Sequence, residues 1–481
     1  MSGRTFYWLA LQEVKRLLQA RWVGGGVALL SVCSVFSVLL GTRDLQEHTK
    51  SYQGLIQQRV EVQLRPSQPW GRSSEPGLRV IREPTPGAIL AAGFEPALPA
   101  AWEFTPSGTE GLHTYARNAS GIGARNIGDL TGIIAGLGGL LALWLGVSPV
   151  VSDRAAGRIA ALRTLPVSPA MLVGVRLTGG TITLAVVAAV WCLTVGLSIQ
   201  MFVPPDLEIP LSMPVWMAAP VFLYLTLMYG IGTAVGGAAK EGISAIVMAF
   251  GLWMAILFVV PQINQLITQS LADVPPQSRM EAERADNMAD SARLLEQEVG
   301  AAVSTQWPDV SRVPDELQLS IYLSVGEPIW RAGLIRIRDA AALEERHWLE
   351  QRARADRLKG WLDSVNPNAW LFETMAELAG TGRTTATAWT QAIASHNRAL
   401  DEKLFLNRPR VNARVLWKGQ PQLLAYDRYR PPKYSDLPSF VDPPAQSGAW
   451  TPAAARNLAG LAVYTLLAMA AAYFWLWSRL R

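Results

Sequence analysis

Residues 152–169 read SDRAAGRIAALRTLPVSP and join two long apolar segments of the chain. The stretch contains three arginines and two prolines, so it is too polar to lie in lipid and too short to form a domain. Its length suits one helix lying at a membrane face. A membrane protein with such a helix offers a surface on which another protein can push.

Local signals within this stretch predict where the helix begins and ends. Ser152 can cap a helix N-terminus, and Asp153 favours its first turn. The predicted helix ends before Pro166, and the Ser-Pro pair at 168–169 is typical of the start of a new helix. The alternative is an ordinary connector held by anionic lipid headgroups. The apolar face of the predicted helix consists of Ile159, Leu162 and Leu165.

Six segments of the chain are long and apolar enough to cross a bilayer, which requires about 20 residues in a helix. Half of the residues are hydrophobic and 17% are charged, and the interiors of these segments contain no charged residue. The first segment is followed directly by GTRD at 41–44, so it reads as a retained span and not as a signal peptide. We therefore predict an α-helical polytopic membrane protein with six transmembrane helices and a mixed, mainly helical extracytoplasmic domain. The predicted spans are residues 22–41, 129–151, 176–203, 214–238, 243–267 and 456–478.

The distribution of lysine and arginine predicts the orientation of these spans. The N-terminal stretch, the loop at 152–176 and the short loop at 239–242 are basic, as is the C-terminus, whereas the loop at 204–213 has no basic residue. Both termini are therefore predicted to be cytoplasmic. The net charge of +5 follows from this asymmetry, so a nucleic-acid partner is not expected.

The hydrophilic segments divide into one cytoplasmic and two extracytoplasmic parts. Residues 1–21 have a helical apolar period and are predicted to form a cytoplasmic interfacial helix, or alternatively an extension of the first span. Residues 42–128 begin as a helix and become proline-rich, which favours short strands and loops packed on something larger. Residues 268–455 are predicted to be mainly helical.

Glycines four residues apart allow transmembrane helices to approach closely. Such pairs occur in the second and fourth predicted spans, where they indicate either packing within one subunit or a dimer contact. The predicted packing residues are Gly132, Gly136, Gly232 and Gly236.

Catalytic motifs are absent from the sequence. There is no G-x-x-x-x-G-K-[ST] loop for nucleotide, no H-E-x-x-H zinc motif and no G-x-S-x-G elbow, and the four histidines are scattered. We expect no catalytic or metal residue, and an enzyme within 268–455 is a minor alternative. Because the spans carry no ionisable group in their interiors, the energy for any transport is expected to come from a partner.

The stretch at 152–169 resembles a pattern of the ABC-2-type permeases, E-R-E-x-G-T-L-x-x-L-x-S-x-P-V-S, which follows their second span. Arg154, Gly157, Leu162 and the Pro-Val-Ser at 166–168 match it, whereas Ala155 replaces an acid. Arg158, in place of Thr, is a second departure from the pattern. Asp153, Ile159 and Thr164 are conservative replacements.

The layout of the whole chain is similar to one branch of this family, which has large extracytoplasmic insertions of unknown function after the first span and before the last. The similarity rests on an ordered set of short motifs. They are the proline-containing stretch at 79–93, Asp129-Leu130 at the start of the second span, Asn366-Pro367 and Ala379-Gly380-Thr381.

The resemblance implies a permease subunit of an ATP-binding-cassette transporter in the bacterial inner membrane. Such a subunit pairs with an identical or related permease and with a separate ATPase that binds Mg-ATP, so this chain needs no cofactor of its own. The insertions would contact cargo or a periplasmic partner, and the spans would contact membrane lipid. The alternative is a membrane-anchored scaffold or sensor without transport activity. The implied ATPase-coupling surface consists of Asp153, Arg154, Gly157, Arg158, Ile159, Leu162, Arg163, Pro166, Val167 and Ser168.

Overall fold

The structure is a computed structural model, and it is predominantly helical. Its helices are α1 (Gly3–Leu18), α2 (Arg21–Gln63), α3 (Leu130–Ala155), α4 (Pro169–Phe202), α5 (Ser212–Ala238), α6 (Gly242–Ala272), α7 (Gln277–Gln306), α8 (Glu327–Asp363), α9 (Pro367–Ala379), α10 (Arg383–Asp401) and α11 (Pro452–Leu480). Its strands are β1 (Leu78–Ile81), β2 (Ala101–Thr105), β3 (Gly108–Leu112), β4 (Asn412–Trp417) and β5 (Gln420–Ala425). The residues described are 3–63, 78–105, 108–112, 129–158, 167–205, 207, 209–272, 274–275, 277–309, 318, 321, 325–401, 412–417, 420–425, 438–443 and 450–480.

The predicted fold class is confirmed. Within the described ranges, six helices are long and apolar enough to cross a membrane, namely α2 to α6 and α11. Helix α5 is at the centre of the bundle, where it packs against α3, α4 and α11. Its side chains Tyr224 and Met228 are fully buried. In contrast, α6 and α11 expose large apolar side chains such as Val247 and Leu466, as expected of helices that face lipid.

The first predicted span and the predicted helical start of the segment after it form one helix, α2, which continues without a break to Gln63. One predicted helix boundary differs from the structure. Helix α3 continues to Ala155, so the prediction that Ser152 caps a new helix is wrong. The Ser152 hydroxyl instead donates to the Pro149 carbonyl oxygen within the last turns of α3. The helix ends because Gly157 adopts a left-handed φ of 66°.

The predicted start of the next helix is confirmed. The Ser168 hydroxyl accepts a hydrogen bond from the Met171 N–H at 3.3 Å, and Pro169 occupies the first turn of α4. Residues 159–166, which hold most of the predicted coupling helix, lie outside the described part of the chain.

Close contact between α3 and α5 depends on glycine. A Cβ at Gly232 would overlap the Leu143 carbonyl oxygen, and one at Gly236 would lie 3.2 Å from the Val150 side chain. Both glycines therefore pack within this chain. Gly132 donates its N–H to Asp129 in the first turn of α3. A Cβ at Gly136 would make only an ordinary van der Waals contact, at 3.9 Å from the Leu257 side chain.

Two antiparallel sheets occur within the described ranges, and both lie outside the bundle. Strands β1, β2 and β3 pair in that order, with Val80 opposite Trp102, and β4 pairs with β5. Trp102 stacks on Trp389 of α10 with ring centroids 5.6 Å apart. The first sheet thus packs on a helix of the second hydrophilic segment. This agrees with the prediction that residues 42–128 form short strands packed on something larger.

Helices α7 and α8 form a long antiparallel pair. Arg336 of α8 contacts Glu298 of α7 at 3.0 Å, and Leu295 and Val303 are buried between the helices. The pair adjoins α6, because the Asn264 amide donates to the Asp363 carboxylate at 3.1 Å.

Candidate functional site

One end of the bundle brings together charged side chains from four helices. We call this end the connector face. It comprises the end of α3 with residues 156–158, the start of α4, the ends of α5 and α11, and helix α1.

Asp153 is the centre of the connector face. It lies in the last turn of α3 with 3% of its surface exposed. Arg176 of α4 donates a short hydrogen bond to one carboxylate oxygen. The other oxygen is 3.6 Å from a nitrogen of Arg16 and 3.5 Å from one of Arg158. A buried carboxylate is stabilised only when it is paired, so these arginines hold three segments to one residue.

Helix α1 is attached to the bundle through the same network. The Arg16 guanidinium donates to Glu13 at 2.6 Å, and the Glu13 carboxylate is 3.9 Å from Arg176. Apolar side chains of α1 such as Val14 are buried against α4, while Tyr7 and Trp8 are more than half exposed. A break at residues 19–20 separates α1 from α2. The exposed aromatic side of α1 is typical of a helix at a membrane surface.

Two arginines bind the C-terminal end of α5. Arg154 donates to the carbonyl oxygens of Ala239 at 2.7 Å and Gly236 at 3.1 Å. Arg479 of α11 donates to those of Gly237 and Ala238, each at 3.0 Å. Helix C-terminal carbonyls lack intrahelical partners and carry partial negative charge, which a guanidinium satisfies. The ends of α3, α5 and α11 are therefore joined.

The structure places the predicted coupling residues at two depths. Asp153 is buried and Arg154 is half-buried, whereas Gly157, Arg158 and Ser168 are exposed and Val167 is half-buried. The remaining predicted residues lie outside the described part of the chain: Ile159, Leu162, Arg163 and Pro166.

Sequence reasoning missed several members of the network. Arg16, Arg176 and Arg479 entered only as basic residues on one side of the membrane, and Glu13 was not singled out. The available signal was that an aspartate at the end of an apolar span needs a cationic partner. That rule does not identify the partner, because Asp153 and Arg176 are far apart in sequence.

Ligand chemistry at the connector face is limited by space. The cavity beside Asp153 and Arg154 has a volume of about 150 Å³, below the several hundred Å³ that enclose a small-molecule ligand. Within the described ranges, no three His, Cys, Asp or Glu side chains converge on a possible metal position. The face is thus a set of charged joints between helices.

The opposite end of the bundle, the insertion face, consists of residues 78–105 with helices α9 and α10. Here the side-chain amides of Asn366 and Asn368 donate to the Ile256 carbonyl oxygen at 3.1 and 3.2 Å. Ile256 lies in a π-helical turn of α6 at Ala255–Val259. A π turn leaves carbonyl oxygens without their usual helical partner. The two amides therefore supply hydrogen bonds to a carbonyl oxygen that the backbone of α6 does not satisfy.

A second π-helical turn occurs in α3 at Ile134–Gly138. Its Ala135 carbonyl oxygen accepts from the Tyr224 hydroxyl at 3.0 Å, and its Gly136 carbonyl oxygen accepts from the Trp253 indole at 3.3 Å. Spans α5 and α6 are therefore joined to α3 by hydrogen bonds at the π-helical turn of α3.

The short motifs that were noted separately along the chain meet at the insertion face. The Thr381 hydroxyl donates to the Ala91 carbonyl oxygen at 2.7 Å, and Phe94 donates its N–H to the Thr381 carbonyl oxygen at 2.8 Å. Asp129, the N-cap of α3, accepts the N–H of Ala92 at 3.4 Å. The stretch at 79–93, the start of span two and the end of α9 are thus one structural unit.

Comparison with known proteins gives one family. Residues 7–393 match the model of a family described as ABC-2 family transporter protein, which covers most of the chain, including the connector face up to α5 and the insertion face through most of α10. No curated protein matches the chain.

Proposed function

The chain belongs to the ABC-2 family of transporter proteins, and from this premise we propose that it is a permease subunit driven by a separate ATPase. The observation that supports the proposal is the buried Asp153 network of the connector face. It lies directly beneath the exposed residues 157–158 and joins the helices that a pushing partner would have to move.

The geometry gives a path for mechanical work. Asp153 and Arg154 are neighbours in the last turn of α3, and Asp153 contacts α4 through Arg176 and α1 through Arg16. Arg154 contacts the end of α5, which Arg479 joins to α11. A displacement of the connector would therefore move five helices together. No catalytic group is required in this chain for such a step.

The partner would contact the exposed part of the connector. Arg158 has 60% of its side chain exposed and offers a positive charge to an acidic surface. Asp153 and Arg154 would support that surface from beneath. The residues at 159–168 complete the proposed docking surface, with Ile159, Leu162 and Val167 as its apolar part.

The remaining parts of the assignment follow from this premise. We infer that the ATPase binds Mg-ATP, that a second permease, identical or related, completes the transporter, and that the protein resides in the bacterial inner membrane. The connector face would be cytoplasmic, in agreement with the basic residues of α1 and the connector. The insertion face would then be extracytoplasmic and able to contact cargo or a periplasmic partner.

Co-purification tests the proposal. The chain, extracted from its own membrane in mild detergent, is expected to co-elute with a P-loop ATPase that mass spectrometry identifies. Arg158→Glu is expected to abolish co-elution, because it reverses the exposed charge while leaving the Arg176–Asp153 pair in place. Ala160→Pro should have the same effect by breaking the proposed coupling helix.

Arg354→Glu is the matched control, since Arg354 is an exposed arginine of α8. It should retain the ATPase. Co-elution and ATP turnover that are the same for Arg158→Glu, Ala160→Pro and the wild type would contradict the proposed docking surface.

A further inference from the structure

A cavity of about 330 Å³ lies at the insertion face between α9, α10 and the first turns of α11. Its charged and amide-bearing walls come from three helices and take no part in the connector network. The residues that define it are Glu373, Glu377, Arg383, Arg456 and Asn457.

The cavity lies close to the level at which the bundle enters the membrane. Helix α11 begins at Pro452, just before Arg456. Trp450 and Trp216, at the starts of α11 and α5, contact edge to face with centroids 5.9 Å apart. Tryptophan is enriched at the headgroup layer of membranes, so the cavity lies beside lipid headgroups.

The lining of the cavity includes hydrogen-bond acceptors that are not fully satisfied within the protein. Asn457 is 2% exposed, and its side-chain oxygen has no hydrogen-bond partner among the described residues. The Glu373 carboxylate makes an ion pair with Arg383 at 3.5 Å. Glu377, in contrast, is occupied, because it accepts from the backbone N–H and the hydroxyl of Thr384. Glu373 can therefore accept hydrogen bonds from a ligand, and the buried Asn457 oxygen is an unsatisfied acceptor in the same lining.

The lining of the cavity also supplies cations. Arg383 has 46% of its side chain exposed and lies 5.9 Å from the Phe94 ring centroid, which helps to fix its position. Arg456 is also exposed and lines the same cavity. Guanidinium groups bind phosphate oxygens with paired hydrogen bonds. The cavity thus offers acceptors for a cation and donors for a phosphate.

We propose that this cavity binds the headgroup of a phospholipid whose phosphate carries a primary ammonium group. The ammonium contacts Glu373, and the phosphate contacts Arg383 and Arg456. A quaternary ammonium fits less well, because it has no N–H to donate and is usually bound by aromatic side chains. None of the residues that line the cavity is aromatic. The inference does not depend on which leaflet the insertion face contacts, nor on the ATPase.

The electrostatics of Glu373 agree with this assignment. Burial raises the pKa of its carboxyl group, an effect that Arg383 and Arg456 oppose and that Asp363 and Glu377 reinforce. A carboxylate that loses hydration on burial is stabilised by a bound ammonium group.

Native mass spectrometry of the purified full-length chain in detergent micelles tests the inference. The probes are phosphatidylethanolamine, phosphatidylcholine and phosphatidylglycerol with the same acyl chains. The wild type is expected to bind the ethanolamine lipid about tenfold more tightly than the choline lipid, which corresponds to one strong hydrogen bond. Glu373→Gln should remove this preference, and Glu373→Asp should retain part of it. Arg456→Gln should weaken all three lipids by a similar factor.

Glu296→Gln, at an exposed glutamate of α7, is the control and should leave every affinity unchanged. Equal binding of the three lipids by the wild type, or an unchanged preference in Glu373→Gln with a wild-type thermal midpoint, would overturn the inference. Soluble glycerophosphoethanolamine distinguishes the source of the headgroup. If it binds as tightly as the lipid, the ligand is a free phosphodiester and the assignment to lipid is wrong.

Discussion

The two ends of the bundle solve the same problem with different chemistry. Both bind backbone carbonyl oxygens that have no partner within their helix. At the connector face these carbonyls are at the end of α5, and the guanidinium groups of Arg154 and Arg479 bind them. At the insertion face the carbonyl of Ile256 is within a span, and the neutral amides of Asn366 and Asn368 bind it.

The location of the carbonyl explains the choice of partner. A helix C-terminus carries the negative end of the helix dipole, and it lies where water can reach a charged group. A π turn inside a span has no such charge, and an arginine there would lose its hydration. From this comparison we expect the charged contacts of the connector face to contribute most to stability. The neutral contacts of the insertion face fix the position of α9 against α6.

Removing the charge of Asp153 is expected to have the largest effect. Asp153→Asn keeps the shape of the side chain but leaves Arg176, whose side chain is 18% exposed, without its main partner. Breaking a buried ion pair costs about 3–5 kcal/mol, so the thermal midpoint in detergent should fall strongly. Arg158→Gln is the control, because it removes only the contact of an exposed arginine, worth about 1 kcal/mol, and leaves the Arg176–Asp153 pair in place. Similar thermal midpoints for the two variants would show that the Arg176–Asp153 pair contributes little to stability.

Removing the two asparagines of the insertion face is expected to have an intermediate effect. Asn366→Ala deletes the N-cap of α9 and one bond to Ile256, and Asn368→Ala deletes the other bond; we expect about 1 kcal/mol for each. The double variant should cost about 1 kcal/mol more than the sum, because only then does the Ile256 carbonyl lose both partners. Thermal midpoints of the four proteins give this double-mutant cycle.

Asn287→Ala is the matched control, since Asn287 is an exposed asparagine whose amide lies 3.4 Å from Glu344. Its stability should change by less than about 0.5 kcal/mol. Strict additivity of the two insertion-face substitutions would contradict the shared role of the Ile256 carbonyl.

The smallest expected effect is a pH dependence confined to the insertion face. Burial raises the pKa of the Glu373 carboxyl, with Arg383 and Arg456 opposing and Asp363 and Glu377 reinforcing the shift. Since the ammonium group requires the carboxylate, the preference for the ethanolamine lipid should be present at neutral pH. It should decline on acidification at a higher pH than an exposed glutamate would give. Native mass spectrometry across this pH range measures the preference. A preference that persists until an ordinary glutamate protonates would contradict the effect of partial burial on Glu373.

The features that were predictable from sequence are local ones. Ser168 before Pro169, Asp129 before Leu130 and Asn366 before Pro367 each precede a helix, and each side chain caps it in the structure. An N-cap bond joins residues two or three positions apart, so the sequence contains both partners side by side. The six spans were predictable for a similar reason, because lipid selects for continuous apolar runs.

The features that were missed depend on partners that are distant in sequence. Asp153 was interpreted as part of an exposed docking helix, because nothing near it indicates that Arg176 and Arg16 surround it. The π turns of α3 and α6 have no apolar period or motif of their own. The function of Asn366 and Asn368 as donors to Ile256 therefore became apparent only when α9 was seen against α6.

The uninterrupted course of α2 has a mechanical consequence. Its 43 residues make a rod of about 65 Å at 1.5 Å per residue, roughly twice the thickness of the hydrocarbon layer. A rod whose first half is embedded and whose second half projects beyond one face of the bilayer converts rotation of the embedded half into translation of the projecting half. Tilting the embedded half by about 10° would sweep the far tip through about 5 Å, a lever arm already built into the shape of a single helix.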